Sequence, residues 1–457
     1  MRTLDLAIIS PHQKFCERAK DLSTSFQFEF HVFRSDEDFF TEAESFKGIT
    51  SVVLDCSYLE KPNEVAGLVQ VARQGAPESY ILTVISSKLA PEDARIAKTS
   101  GASLVMMESE YYSSCKAEFA LSQVIRSAFI PVKTLDLIED SELSFALYHL
   151  LPMNRRFLKV LKPDSKLSKA FLEKYSPAGD LFIPRKDLGA WLEYTNSFRA
   201  EDEAGLLRQC RSKFLQLNQS FLDLTLLISD QSSGASFAAG KEVYELCRKF
   251  AYELHSSLIN TPDPWKVVAS SAVGDFGSVE RSPAISAYAG ILSSQNQIGL
   301  AEEVMIGALL ADIGYLEFSP STARKVRNNQ MSQLNAEEQM EYHKHPIFSL
   351  NNCLSRRLPL TEAIKDMILM SHERSDQKGF PHRPRSDKLT EESMLVRLCW
   401  ELDNRTQVRM GEKRPDIDEV KKSLGSALSA DSGNFSVGFA CKIAKILNTS
   451  DRGTVSA

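Results

Sequence analysis

Five short apolar runs near the start of the chain constrain its fold more than any other feature. They read LAIIS (Leu6–Ser10), FEFHVF (Phe28–Phe33), SVVLDC (Ser51–Cys56), YILTVIS (Tyr80–Ser86) and SLVMME (Ser103–Glu108). Stretches with helical spacing separate them: KFCERAKDL, NEVAGLVQVARQ and PEDARIAKTSG, with CKAEFALSQVIRSAF closing the series. Strand-length apolar runs alternating with amphipathic helices predict a doubly wound parallel sheet. Such sheets bind ligands beyond the carboxyl ends of their strands, so the residues just after each run are the first places to look for function.

Asp55 ends the third run. With that acid in place, residues 3–130 resemble a response-regulator receiver domain, in which this position carries the phospho-accepting aspartate. Two departures follow. The point where receivers place a magnesium-holding acidic pair reads Ser10, Pro11, His12, and Glu108 stands near the position of the receiver lysine. Phosphoryl transfer needs cations on the phosphoryl oxygens, so the resemblance implies a receiver-like fold in which Asp55 is silent.

At 457 residues the chain exceeds one compact core, and it divides into three parts. A receiver-like domain spans 1–132, a small α/β module with linking helices spans 133–262, and a nearly all-helical domain spans 263–457. The middle part holds FALYHLLPMNRRFLKVLKP, a strand in DLFIPR and two long amphipathic segments joined by SDQSSGAS. Its basic group, Arg155, Arg156, Lys159 and Lys162, reads as a solvated face. A net charge of −6 argues against nucleic acid as a partner. No run approaches the length of a membrane span, and the first apolar run is too short for a signal peptide. Eight cysteines scattered without CxxC pairs suit reduced thiols, and a cytoplasmic location is expected.

In the helical third, three motifs occur in order: ALLADIG (Ala308–Gly314), EYHKHPIFSLNNCL (Glu341–Leu354) and SHERSDQKGFP (Ser371–Pro381). Their order and spacing resemble the HD-GYP family, bacterial phosphodiesterases that hydrolyse cyclic di-GMP. The resemblance covers about residues 265–447. It implies a site of two or more metals, which generate hydroxide and stabilise in-line displacement at phosphorus. The implied ligand positions are depleted here. The first family histidine falls on Arg281, the histidine of the His-Asp pair on Ala311, and the first of the His-His-Glu set on Ser371. The following lysine is Tyr315, and the late aspartate falls on Trp400, with Asp403 one helical turn beyond. Asp312, His345 and His372 survive.

Three donors do not build a two-metal centre. The expected reading is a metal-free remnant in which Asp312 caps a turn or pairs with Arg281. The alternative is a single iron or manganese held by Asp312, His345 and His372 as a facial triad. The loop that follows keeps Gly379 and Pro381, with Phe380 for the family tyrosine, and adds Arg374, Lys378, Arg383, Arg385 and Lys388. Arginines suit phosphate diesters, and in the family this loop docks GGDEF-domain proteins, so Arg374 to Arg385 form a candidate surface for cyclic di-GMP or a protein partner. The sequence therefore points to a signalling protein with an inactive HD-GYP domain acting as a scaffold or regulator. Residual single-metal phosphodiesterase activity is the alternative.

Overall fold

The computed structural model describes residues 3–448 apart from 27, 47, 90, 127, 152–155, 199–201, 233–236, 272–277, 407–414 and 430–432. Its first element is a five-stranded parallel sheet made of β1 (Thr3–Ile9), β2 (Phe30–Phe33), β3 (Gly48–Cys56), β4 (Tyr80–Ile85) and β5 (Leu104–Met107). The strand order is β2-β1-β3-β4-β5, all parallel, as the alternating pattern requires. The order reverses between β1 and β3. That reversal opens the crevice where such sheets place ligands, and it sets Ser10 beside Asp55. Both faces are covered by helices, which is why Leu6, Ala7, Ile8, Val52, Val53 and Leu54 are all buried.

Two compact units are present. Residues 1–120 and 213–457 make one, and residues 121–212 make the other. The smaller unit carries a four-stranded antiparallel sheet of Phe129–Lys133, Asp180–Pro184, Leu147–Leu151 and Arg156–Leu161, in that spatial order. Phe129, Phe157 and Phe182 pack together on it, and Arg211 forks the buried carboxylate of Asp136. Of its basic group, Arg155 lies outside the described residues, while Lys159 reaches over the Tyr148 ring.

In the larger unit the sheet is joined by helices that include Phe237–Ile259, Ser278–Asn296, Ala301–Leu310, Ala336–Ser355, Glu362–Met370 and Glu391–Thr406. Helix Ala301–Leu310 buries seven successive residues, Val304 to Leu310, so it lies inside the domain rather than on its surface. Helix Ala336–Ser355 starts with a capping box in which Asn335 and Glu338 satisfy each other's backbone N–H groups. The eight cysteines form no disulfide, and seven are buried. Among the described residues no helix is long and apolar enough to cross a membrane.

Candidate functional site

The turn around Asp312 is built by close approach. Helix Ala301–Leu310 ends at Ala311, and a 3-10 turn, Ile313–Glu317, follows. At Gly314 a Cβ would lie 2.0 Å from the His345 carbonyl oxygen, so only glycine lets this turn touch helix Ala336–Ser355. Ser349 on that helix fastens the contact. Its hydroxyl donates to the Ala311 carbonyl and accepts from the Gly314 N–H.

His345 owes its tautomer to its neighbour. Pro346 has no N–H, so the Tyr342 carbonyl lacks the usual helical donor four residues on. The His345 Nδ1–H supplies it instead, at 2.6 Å. In the neutral ring Nε2 then carries only a lone pair, and this buried atom has no hydrogen-bond partner. It lies 3.4 Å from Asp312 Oδ1. His372 Nε2 lies 3.4 Å from the same oxygen and donates to it.

Asp312, His345 and His372 thus converge, with one ligand-type atom from each within 4.8 Å of the others. Their exposures are only 1%, 0% and 6%. Burial pushes the Asp312 carboxyl up, and the His372 N–H that it accepts acts against this. Burial pulls His372 down to about 4, so its ring is neutral near pH 7. Two imidazoles and one carboxylate, each imidazole with a ring nitrogen 3.4 Å from the acid, fit one cation. They do not fit two.

Aromatic rings enclose the cluster. Phe380 stacks on His372 with centroids 4.9 Å apart and planes 9° apart, and its other face stacks on His343. Tyr315 packs 4.5 Å from His345, and Trp400 meets His372 edge-on at 5.1 Å. A hydrolytic metal keeps an open position for water and substrate. Here Phe380, Tyr315 and Trp400 pack directly against the two histidines.

Arg281 differs from the expectation that it might pair with Asp312. It forks Asp403 instead, Nε to Oδ2 at 2.8 Å and Nη2 to Oδ1 at 2.5 Å, with a further bond to Thr406 Oγ1. Both charges are buried, so each neutralises the other inside the helical domain. Ser371 returns its hydroxyl to the Ile368 carbonyl and ends helix Glu362–Met370.

The loop after His372 is less positive than its five basic residues imply. Arg374 forks Asp376 at 2.8 and 2.6 Å, and Arg385 lies 3.2 Å from Asp387. Lys378 sits at the edge of the Asp376 pair. Arg383 is exposed, and its Nε donates to the Gly379 carbonyl. Gly379 is again obligatory: a Cβ would lie 2.5 Å from the Arg374 nitrogen. The Phe380–Pro381 bond is cis. Sequence reasoning overlooked the frame behind this loop. Buried Glu373 accepts from the His382 and Arg383 N–H groups, and Arg397 donates to the Glu373 carbonyl. The conspicuous signal was the glutamate of the motif itself.

At the other candidate position, Asp55 is 1% exposed and accepts four hydrogen bonds. Ser10 Oγ donates to Oδ2 at 2.5 Å and His12 Nδ1 at 3.0 Å, while the Ser57 N–H and hydroxyl both donate to Oδ1. Ser10 and His12, which follow β1, therefore bind the carboxylate directly.

No protein-family model matches this chain, and no curated protein does. Among solved structures it is similar to an HDG"Y"P protein from Bdellovibrio bacteriovorus. That likeness has 14% sequence identity and a TM-score of 0.43, and it covers 70% of this chain and 100% of the other.

Proposed function

We propose that this chain is a signalling protein whose helical third is a degenerate HD-GYP domain that no longer hydrolyses cyclic di-GMP. It works as a scaffold or regulator through bound partners. The observation that carries the reading is the enclosure of Asp312, His345 and His372 under Phe380, Tyr315 and Trp400, with no second set of donors beside them among the described residues. Two-metal hydrolysis needs two ions, a bound water and a face open to the diester. Three enclosed donors supply none of the last two. The buried Arg281–Asp403 fork adds to this, because Arg281, where the motif resemblance expects a histidine, is engaged in an internal pair.

The second reading is single-metal phosphodiesterase activity at the same three residues, favoured by the unsatisfied His345 Nε2. A single iron or manganese held by Asp312, His345 and His372 would supply Lewis acidity. In the enclosed geometry these side chains would act on it as a structural cross-link between three segments. The sheet domain is read as a pseudo-receiver, silent at Asp55. The candidate docking surface for a GGDEF-domain protein or cyclic di-GMP is the loop from Arg374 to Arg385, with Arg383 its most available cation.

The deciding experiment is a cyclic di-GMP hydrolysis assay with manganese or iron(II) supplied, run beside metal analysis of the purified protein. The expected outcome is no turnover. Metal-dependent hydrolysis that disappears in Asp312→Ala would overturn the proposal in favour of the single-metal enzyme.

A further inference from the structure

The larger unit joins the sheet domain to the helical domain through a buried polar contact, and that contact is seated on the turn carrying Asp312. Its first member is Cys115, whose thiol donates to the Tyr315 carbonyl at 3.0 Å. Burial pushes that thiol up to about 12, so it remains a protonated donor. Next is Lys116, buried in helix Lys116–Arg126, which bridges Glu110 at 2.7 Å and Glu317 at 2.9 Å. The third is Glu118, whose 2%-exposed side chain accepts from Arg18 of the sheet domain at 2.8 Å and from Arg327 of the helical domain at 3.2 Å.

A second group closes the edge of the sheet. β5 is an edge strand, and its Val105 N–H donates to Asp230 Oδ1. Lys98 pairs with the other Asp230 oxygen, while Arg356 grips the Ile228 and Asp230 carbonyls. The open edge is thereby capped from within the chain rather than left for another strand.

We propose that the sheet domain is a built-in lock on the Asp312 turn. The chain of contacts is short. Cys115 holds Tyr315, whose ring lies against His345, and Lys116 holds Glu317 at the end of the same turn. Buried charges that are paired from both sides are costly to separate, because each would be left uncompensated. The Asp312–His345–His372 cluster therefore opens only when the sheet domain lets go. The lock does not depend on whether the cluster hydrolyses anything.

Hydrogen exchange on the full-length protein tests the lock, since it reads local opening without any assay of activity. Glu118→Ala is expected to speed exchange of amides 313–327 by about tenfold or more, with Glu118→Gln intermediate because it keeps hydrogen-bond acceptors. Leu181→Ala, in strand Asp180–Pro184 of the smaller unit, is the control for general destabilisation and should leave 313–327 at the wild-type rate. Should Glu118→Ala fail to fold, Arg327→Ala breaks the same contact from its rim and carries the same expectation. Unchanged exchange at 313–327 in Glu118→Gln and Arg327→Ala, or an equal rise in Leu181→Ala, would overturn the proposal. A phosphodiesterase result in either direction would leave it standing.

Discussion

Asp55 and Asp312 are both buried carboxylates, each held by an imidazole at a position where the resembled families carry out phosphate chemistry, but their surroundings differ. Asp55 accepts four donors, from Ser10, His12 and Ser57, and its charge is satisfied without any cation. Asp312 faces two imidazoles, of which one donates and the other presents a lone pair. One site is a fully hydrogen-bonded strand end. The other keeps the electrostatic shape of a cation site inside an aromatic shell. Sequence resemblance treats both as vestigial, and the hydrogen-bond inventory separates them.

The largest effect is expected at the internal ion pair of Arg281 and Asp403 in the helical domain. Arg281→Met leaves Asp403 as an uncompensated buried charge, at a cost of about 3–5 kcal/mol. Denaturant unfolding measures it. The double variant Arg281→Met with Asp403→Leu should recover most of that loss, because both charges leave together. A loss under about 1 kcal/mol for the single variant would mean that the fork contributes little.

Paired isosteric substitutions bring the two acids into direct comparison. Asp55→Asn replaces an acceptor-only group, turns an amide N–H₂ toward existing donors, and should cost about 1–3 kcal/mol. Asp312→Asn should be close to neutral in metal-free protein. Its amide offers one N–H to the His345 lone pair and one to His372, which takes its other tautomer. Thermal unfolding with and without a chelator checks both. If Asp312→Asn is the more damaging of the two, and the damage appears only without chelator, the cluster holds an ion and the contrast between the sites is between a hydrogen-bonded end and a cation site.

Much of this was legible in sequence. β1, β3 and β4 are apolar runs buried almost throughout, and their alternation with helices made the sheet legible. β1 and β3 begin three residues earlier than their apolar cores, because Thr3 and Gly48 continue the ladder without being hydrophobic. Asp312, His345 and His372 were legible as a group because the motifs that carry them follow one another in order, and the fold brings the three side chains together. The partner of Arg281 was not found. Pairing between residues 122 apart is set by how two helices pack, and sequence spacing carries no trace of it. Two other features were visible but unread. Pro346 stands four residues after Tyr342, which is the signal for the His345 tautomer. Asp376 and Asp387 stand beside the loop arginines, which is the signal that the loop's charge is largely paired.

The smallest effects belong to that loop. Hydrogen bonds from Arg374 hold the Asp376 carboxyl well below the ordinary carboxylate range. A depressed acid stabilises the fold above its unfolded value, and that contribution fades as pH falls through the lower folded value. The Arg374–Asp376 fork should therefore persist at pH 4 to 5 and weaken only in stronger acid, which proteolysis of the loop across that range will follow. At neutral pH the remaining question is binding. Arg383 and Arg385 are exposed, so replacing both with alanine should change stability by no more than about 0.5 kcal/mol. If the loop binds cyclic di-GMP or a GGDEF-domain partner, the double variant should bind roughly three- to tenfold more weakly, mainly through slower association. The deficit should shrink as salt rises, because the charge reach is about 8 Å at physiological ionic strength and shorter above it. Titrations of wild type and variant at two salt concentrations measure this. Equal affinities would reduce the loop to a solvated surface and leave the sheet domain as the better place to search for a partner.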